Sequence, residues 1–204
     1  MKEKYLDDLK DIKEIMNRSS RFISLSGLSG ISAGVLALLG AYLSYQTIFK
    51  GQDYLVYPKV TLPNEALTQL LLIALTTLLL AIVTTIYFTT RKTKKHNQNI
   101  WDHQSKRLLI NLMIPLVTGG LLCTMLVFKG YIGMAIPLTL VFYGLSLLNA
   151  SKYTLNEVRV LGLIEIVLGL IAFQYISLGL IFWTIGFGVL HIVYGIIMQM
   201  KLKS

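Results

Sequence analysis

An all-α membrane protein is the fold this sequence predicts: a bundle of six transmembrane helices, arranged as three hairpins and preceded by an amphipathic surface helix. Three observations carry that expectation. Hydrophobic residues make up 54% of the 204 residues and charged residues only 14%, against about 25% charged in a soluble domain. The charges crowd between long uncharged stretches, as they must where an ionised group in hydrocarbon costs several kcal/mol. Lys and Arg also alternate from one connecting segment to the next.

In chain order, residues 1–21 form the first unit and residues 22–204 the six-helix domain. Tyr5, Leu9, Ile12 and Met16 share one helical stripe, with Leu6 and Ile15 at its margins. Two readings fit this stretch. It is a helix lying on the inner membrane surface, or a docking helix for a cytoplasmic protein partner through residues 1–20. Ser19 or Ser20 is the expected cap of the first span. The first apolar run begins near Phe22, after a long charged stretch, and exceeds the length of a signal-peptide core, so it is expected to be retained.

About 20 apolar residues are needed to cross the hydrocarbon core. Six segments qualify: Phe22–Tyr45, Leu67–Phe88, Leu108–Phe128, Tyr131–Ala150, Val160–Ile176 and Leu178–Met200. With the N-terminus inside, 16 of the 19 Lys and Arg residues fall on inner segments and only Lys50, Lys59 and Lys129 on outer ones. That bias sets both the direction and the number of spans. It also accounts for the net charge of +9, so the lipid bilayer, and no nucleic acid, is the expected partner.

The outer segment Gln46–Ala66 carries Tyr54, Tyr57, Pro58 and Pro63, with Asn64 as a candidate cap for the second helix. It reads as an ordered loop or as a lid. The inner segment Arg91–Arg107 is strongly basic, and Trp101 suits an interface. His96, Asp102 and His103 match no compact metal spacing, so no metal is expected. Cys123 is the only cysteine and reads as packing.

Small residues dominate the first span. Ser26, Gly30 and Gly34 recur every fourth residue, with Ala37 and Ala41 continuing nearly the same face. Lipid supplies no hydrophobic drive between helices, so close backbone approach must hold them. The stripe predicts a central first helix; a homo-oligomer seam and a lipid groove are the other uses of such a face. Gly162, Gly169, Gly179, Gly186, Gly188 and Gly195 suggest that the last two helices pack tightly as a hairpin. Pro115 and Pro137 are expected to kink the third and fourth helices.

Chemistry has one candidate location. Glu165 is the only acid inside a span, and it and His191 both lie roughly 14 Å from the inner end at about 1.5 Å per residue. An acid at mid-depth costs at least about 2.5–3.5 kcal/mol, so Glu165 must point into the bundle. Gly188 is where its carboxyl is expected to approach a backbone. Thr118, Tyr143 and Tyr194 are candidate supporters, and Ser32 lies at similar depth. Asn111 and Asn149 are expected to be solvated or capping. The layer is either a proton-responsive or substrate-coordinating site, or a structural interhelical bond. No His–Glu–x–x–His, Gly–x–Ser–x–Gly, Walker or dinucleotide motif occurs, so there are no catalytic residues to nominate, no cofactor is implied and an enzyme is not expected.

YGLSLLNASKYTLNEVRVLGLIEIVLGLIA (Tyr143–Ala172), FWTIGFGVLHIVYG (Phe182–Gly195) and NRSSRFISLSGLSG near residue 17 resemble a group of uncharacterised bacterial six-helix integral membrane proteins. That resemblance implies a small protein of the bacterial cytoplasmic (inner) membrane with no assigned activity; both termini are then cytoplasmic. The glycine-punctuated Gly169–Gly195 hairpin is similar to the acid-resistance (HdeD-like) membrane proteins. The expected function is a non-enzymatic envelope sensing or scaffolding component; the alternative is a proton-coupled small-molecule transporter or channel using Glu165. A transporter would also predict an internal structural repeat.

Overall fold

A computed structural model describes residues 26–95 and 103–201. The stretch 1–21, the Ser19 and Ser20 caps, the start of the first span at Phe22, and His96, Trp101 and Asp102 lie outside the described residues. Six helical rods follow one another. α1 is Gly27–Ser44, continued by a π turn over Tyr45–Phe49. α2 is Asn64–Lys95, α3 His103–Phe128, α4 Ile132–Ala150 and α5 Asn156–Gln174. The last rod, α6, joins Gly179–Trp183, a π turn over Thr184–Leu190, and His191–Lys201.

In lipid every backbone polar group must be satisfied within the segment, which favours helices over any open alternative. Hydroxyl residues inside the rods obey the same rule. Thr68, Thr76 and Thr84 of α2 return their hydroxyl protons to Asn64, Leu72 and Leu80 carbonyls at 2.7–2.9 Å. These three threonines therefore meet the bilayer with their donors engaged. Asn64 is itself the first residue of α2 rather than a flanking cap. α2 and α3 extend well past their apolar stretches at the end that carries Arg91, Lys94, Lys106 and Arg107.

Five of the described helices are long and apolar enough to cross a membrane. α5 differs because Glu157, Arg159 and Glu165 fall within its 19 residues. Large apolar side chains face outward along the rods, among them Leu72, Leu79 and Val83 on α2, Ile114 and Leu121 on α3, and Leu170 on α5. Such a surface is incompatible with water as the solvent. The chain is an all-α, multi-pass membrane protein built as a six-helix bundle.

Two glycine seams organise the bundle. Along α1 and α6, a Cβ added at Gly195 would stand 2.5 Å from the Gly27 oxygen, and one added at Gly34 would stand 2.6 Å from the Gly188 oxygen. Along α4 and α5, a Cβ at Gly144 would stand 2.5 Å from the Gly162 oxygen, and one at Gly169 3.0 Å from the Pro137 oxygen. Both pairs are antiparallel. Ser26, Gly30 and Gly34 are buried, and α1 is covered by both α2 and α6. The glycines of the last two helices therefore serve different neighbours: those of α5 face α4, while Gly188 and Gly195 face α1. The α5 and α6 backbones come closest at their connecting turn, while side chains join them further along, at Glu165, at Tyr194 with Val158 and Leu161, and at Lys201 with Glu157.

The α1–α2 loop reaches across to the other helices. The Val60 amide donates to the Gly130 oxygen at 2.7 Å, and Val60 pairs with Tyr131 as a single parallel bridge. Gly130, at φ +82°, makes the α3–α4 turn that accepts it, a backbone conformation that costs glycine least. Lys59 lies over the Tyr131 ring at 5.2 Å. Beneath this strap, Ile48, Phe49, Leu62 and Ile132 form an apolar cluster.

Candidate functional site

Near the centre of the bundle, α4, α5 and α6 bring Tyr143, Glu165 and His191 together. Glu165 is fully buried. Its carboxyl lies against Gly186: a Cβ there would meet Glu165 Oε2 and Leu140 Cδ2, each at 2.5 Å. Only glycine leaves that room. The approach is at Gly186 rather than Gly188, whose own vacant side holds Leu38 of α1. The π turn over Thr184–Leu190 accounts for the shift, since it changes which face of α6 meets which neighbour. Such insertions are frequent at functional sites.

His191 is held at both ring nitrogens. Nδ1 lies 3.0 Å from the Gly186 oxygen, and Nε2 lies 2.7 Å from the Tyr143 hydroxyl. A carbonyl can only accept, so Nδ1 carries a proton. In the neutral ring Nε2 then accepts from the Tyr143 hydroxyl. In the imidazolium, Nε2 becomes a donor and the direction of that bond reverses.

Glu165 Oε1 lies 3.7 Å from His191 Nδ1, too far for a hydrogen bond, and neither carboxyl oxygen has a hydrogen-bond partner. The same Nδ1–H therefore has two competing acceptors, the Gly186 carbonyl and the Glu165 carboxyl. Of the two, an ionised carboxylate is the stronger acceptor and a neutral carbonyl the weaker.

The ring of Tyr143 also packs on Phe187 at 4.9 Å, and Phe187 on Trp183 at 4.8 Å. An aromatic file thus leads from the polar centre towards the α5–α6 turn. Tyr194, one turn beyond His191, is partly buried, and its hydroxyl has no hydrogen-bond partner. It packs with Leu147, Val158 and Leu161 rather than on the carboxyl.

Thr118 is not part of the site. It is exposed on α3 and donates to its own helix at Ile114 O, 2.8 Å away. Counting residues placed it at the right depth, but on the wrong side of its helix. Ser32 likewise bonds within its own helix, to Ser29 O at 3.0 Å. Asn149 does more than was expected of it: its amide donates to the Asn111 carbonyl at 2.9 Å and ties α4 to α3. Cys123 is buried. Among the described residues, no three His, Cys, Asp or Glu side chains converge on a common point.

One signal in the sequence marks the site more sharply than depth does. Residues 162–169 read GLIEIVLG and residues 188–195 read GVLHIVYG. Glu165 and His191 occupy the same position in this octad, three residues after a seam glycine. The partner helices match as well. Gly162 and Gly169 meet Gly144, Val141 and Pro137, while Gly188 and Gly195 meet Gly34, Ile31 and Gly27. The spacing down α4 equals the spacing down α1.

No family model, no curated protein and no solved structure matches this chain.

Proposed function

We propose that the chain is a non-enzymatic, proton-responsive component of the bacterial cytoplasmic membrane, with Glu165 and His191 as its sensing pair. One observation supports this above the rest: a fully buried carboxyl with neither oxygen hydrogen-bonded, 3.7 Å from an imidazole nitrogen that is already committed elsewhere. A carboxyl serving only as packing glue would be expected to hold its partner directly, because an unpaired buried polar group costs about 1–3 kcal/mol. An intramembrane acid kept at that cost is by default a functional group.

The inner-membrane setting follows from the resemblance to bacterial proteins, and the orientation from the basic segments. Three hairpins then turn on the outer side, both termini lie in the cytoplasm, and residues 1–21 lie along the inner surface as an amphipathic helix. In the scaffolding form of this reading, residues 1–20 pass the response to a cytoplasmic partner. Deleting them while leaving every captured interaction intact would remove that role.

Trp183 supplies the test for the pair. In a Trp101→Phe background it is the only tryptophan, and it lies on the aromatic file to His191. Its fluorescence is expected to change with pH in purified protein. Glu165→Gln, with circular dichroism unchanged, is expected to abolish that component. An identical pH profile in both proteins would refute the proposal.

A further inference from the structure

At its basic end α2 carries a groove. About 640 Å³ of open space lies against Val83, Ile86, Tyr87, Thr90, Arg91 and Lys94, within the range of small-molecule sites, about 300–1,000 Å³. Residues three and four apart share a helix face, so these six form one strip. Val83, Ile86 and Tyr87 are exposed, as are Arg91 and Lys94. Thr77 marks the side of α2 that meets α1, at Gly40. At about 100° per residue the midline of the strip is turned roughly a quarter-turn from it.

Position along the axis divides the strip chemically. The apolar stretch of α2 ends at Phe88. At about 1.5 Å per residue, Arg91 and Lys94 lie roughly 4.5 and 9 Å beyond that point, and Val83 and Ile86 lie inside it. The headgroup layer is about 5–7 Å thick on each side of the hydrocarbon. Helical side chains lean towards the N-terminus of their helix, which here is back towards the membrane. The cations therefore reach the headgroup layer, and the apolar residues line the acyl layer beneath it.

The polar half of the strip has no protein partner. Arg91 and Lys94 make no ion pair among the described residues, and the hydroxyls of Tyr87 and Thr90 make no hydrogen bond there. Thr68, Thr76, Thr84 and Thr93 of the same helix all donate to the carbonyl four residues back. Thr90 does not.

We infer that this strip holds one anionic glycerophospholipid, its phosphodiester on Arg91, Lys94 and the Thr90 hydroxyl and an acyl chain along Val83 and Ile86. A guanidinium meets two phosphate oxygens at once, and an ammonium acts as a point charge. Arg91 and Lys94 are three residues apart and so share one phosphate. An anionic headgroup suits the pair better than a zwitterionic one, which brings a cation of its own. Lys106 and Arg107 on α3 carry equal charge without this arrangement, because adjacent residues do not face each other.

Native mass spectrometry of full-length protein titrated with phosphatidylglycerol or phosphatidylethanolamine of matched acyl chains tests the site. Phosphatidylglycerol is expected to bind more tightly. A cation facing an anionic leaflet contributes about fivefold in affinity, so Arg91→Ala with Lys94→Ala is expected to lose roughly 25-fold for that lipid. Lys106→Ala with Arg107→Ala removes the same charge and is expected to lose far less. All four cations are exposed, so neither double variant disturbs the packed core. Equal losses in the two would reduce the effect to net charge and overturn the inference, as would equal affinity for the two lipids. Displacement by soluble glycerol phosphate would make this a free-phosphate site. Tighter lipid binding after Asp7→Asn, Asp8→Asn and Asp11→Asn together would give the groove to the chain's own acidic segment. Either result also overturns the lipid assignment.

Discussion

Tyr143 on α4 and His191 on α6 share a 2.7 Å hydrogen bond across 48 residues of sequence. That bond ties α4 to α6 and holds the imidazole ring beside Glu165. Because Nδ1 is engaged by Gly186 O at 3.0 Å, the ring has no spare nitrogen with which to compensate for a lost partner.

Removing the Tyr143 hydroxyl should therefore cost more than one bond. Interhelical hydrogen bonds in membrane proteins average about 0.6 kcal/mol, but Tyr143→Phe also strands a buried nitrogen, which costs about 1–3 kcal/mol. Unfolding in mixed micelles is expected to show the larger loss. A loss near the average bond would mean that the ring finds another partner.

The seams make opposite expectations for two glycine-to-alanine changes. At Gly195 the new Cβ would stand 2.5 Å from the Gly27 oxygen and 2.7 Å from the Ile31 nitrogen, both rigid backbone atoms. Overpacking of this kind costs about 1–3 kcal/mol. At Gly120 nothing lies within 4 Å, so alanine there should stabilise α3 by up to about 1 kcal/mol through helix propensity. Thermal midpoints of the two variants should move in opposite directions from that of the parent protein.

Gly186 and Leu140 are expected to be coupled. Leu140 is fully buried, and a Cβ at Gly186 would meet its Cδ2 at 2.5 Å. Leu140→Ala alone should cost about 2–5 kcal/mol through the cavity it leaves. Gly186→Ala partly fills that cavity, so the double variant should be more stable than the sum of the two losses implies. Strict additivity in a double-mutant cycle would place the two residues out of contact.

At the basic end, Lys201 of α6 hydrogen-bonds Glu157 of α5 and holds its carboxyl below the usual carboxylate range. A depressed folded pKa gives stability that is present above the unfolded value, about 4.3 for Glu, and is lost as pH falls through the folded value. The lysine is well exposed, so the gain is about 1 kcal/mol or less. The stability gap between the parent protein and Glu157→Gln should be flat near neutrality, shrink below about pH 4 and narrow with added salt. A gap that ignores both acid and salt would assign the contact to packing.

The helical segments and the uniqueness of Glu165 were legible in the sequence because hydropathy and charge report directly on the cost of placing a residue in lipid. Facing directions were much less so. Thr118 shares the depth of Glu165 but points away from it, since counting along a helix gives height and not azimuth. Counting one turn from His191 points to Gly188 as the neighbour of the carboxyl; a π turn, which composition does not reveal, puts Gly186 there instead and turns Gly188 to α1. The pairing of glycines between α1 and α6, rather than between α5 and α6, depends on which rods become neighbours. The octad at residues 162–169 and 188–195 was available throughout, in the alignment of one span against the next.

The π turn also sets an angular phase within α6. A π turn holds one residue more than an α turn, so deleting one residue between Thr184 and Leu190 would restore a regular turn, with Gly179–Trp183 still resting on Ile136 and Pro137 and His191–Lys201 still in register. The change would fall on the residues between. Gly186 would leave its place opposite Glu165, and its carbonyl would leave His191 Nδ1. The extra residue of this one turn is thus what lets a single glycine serve both side chains.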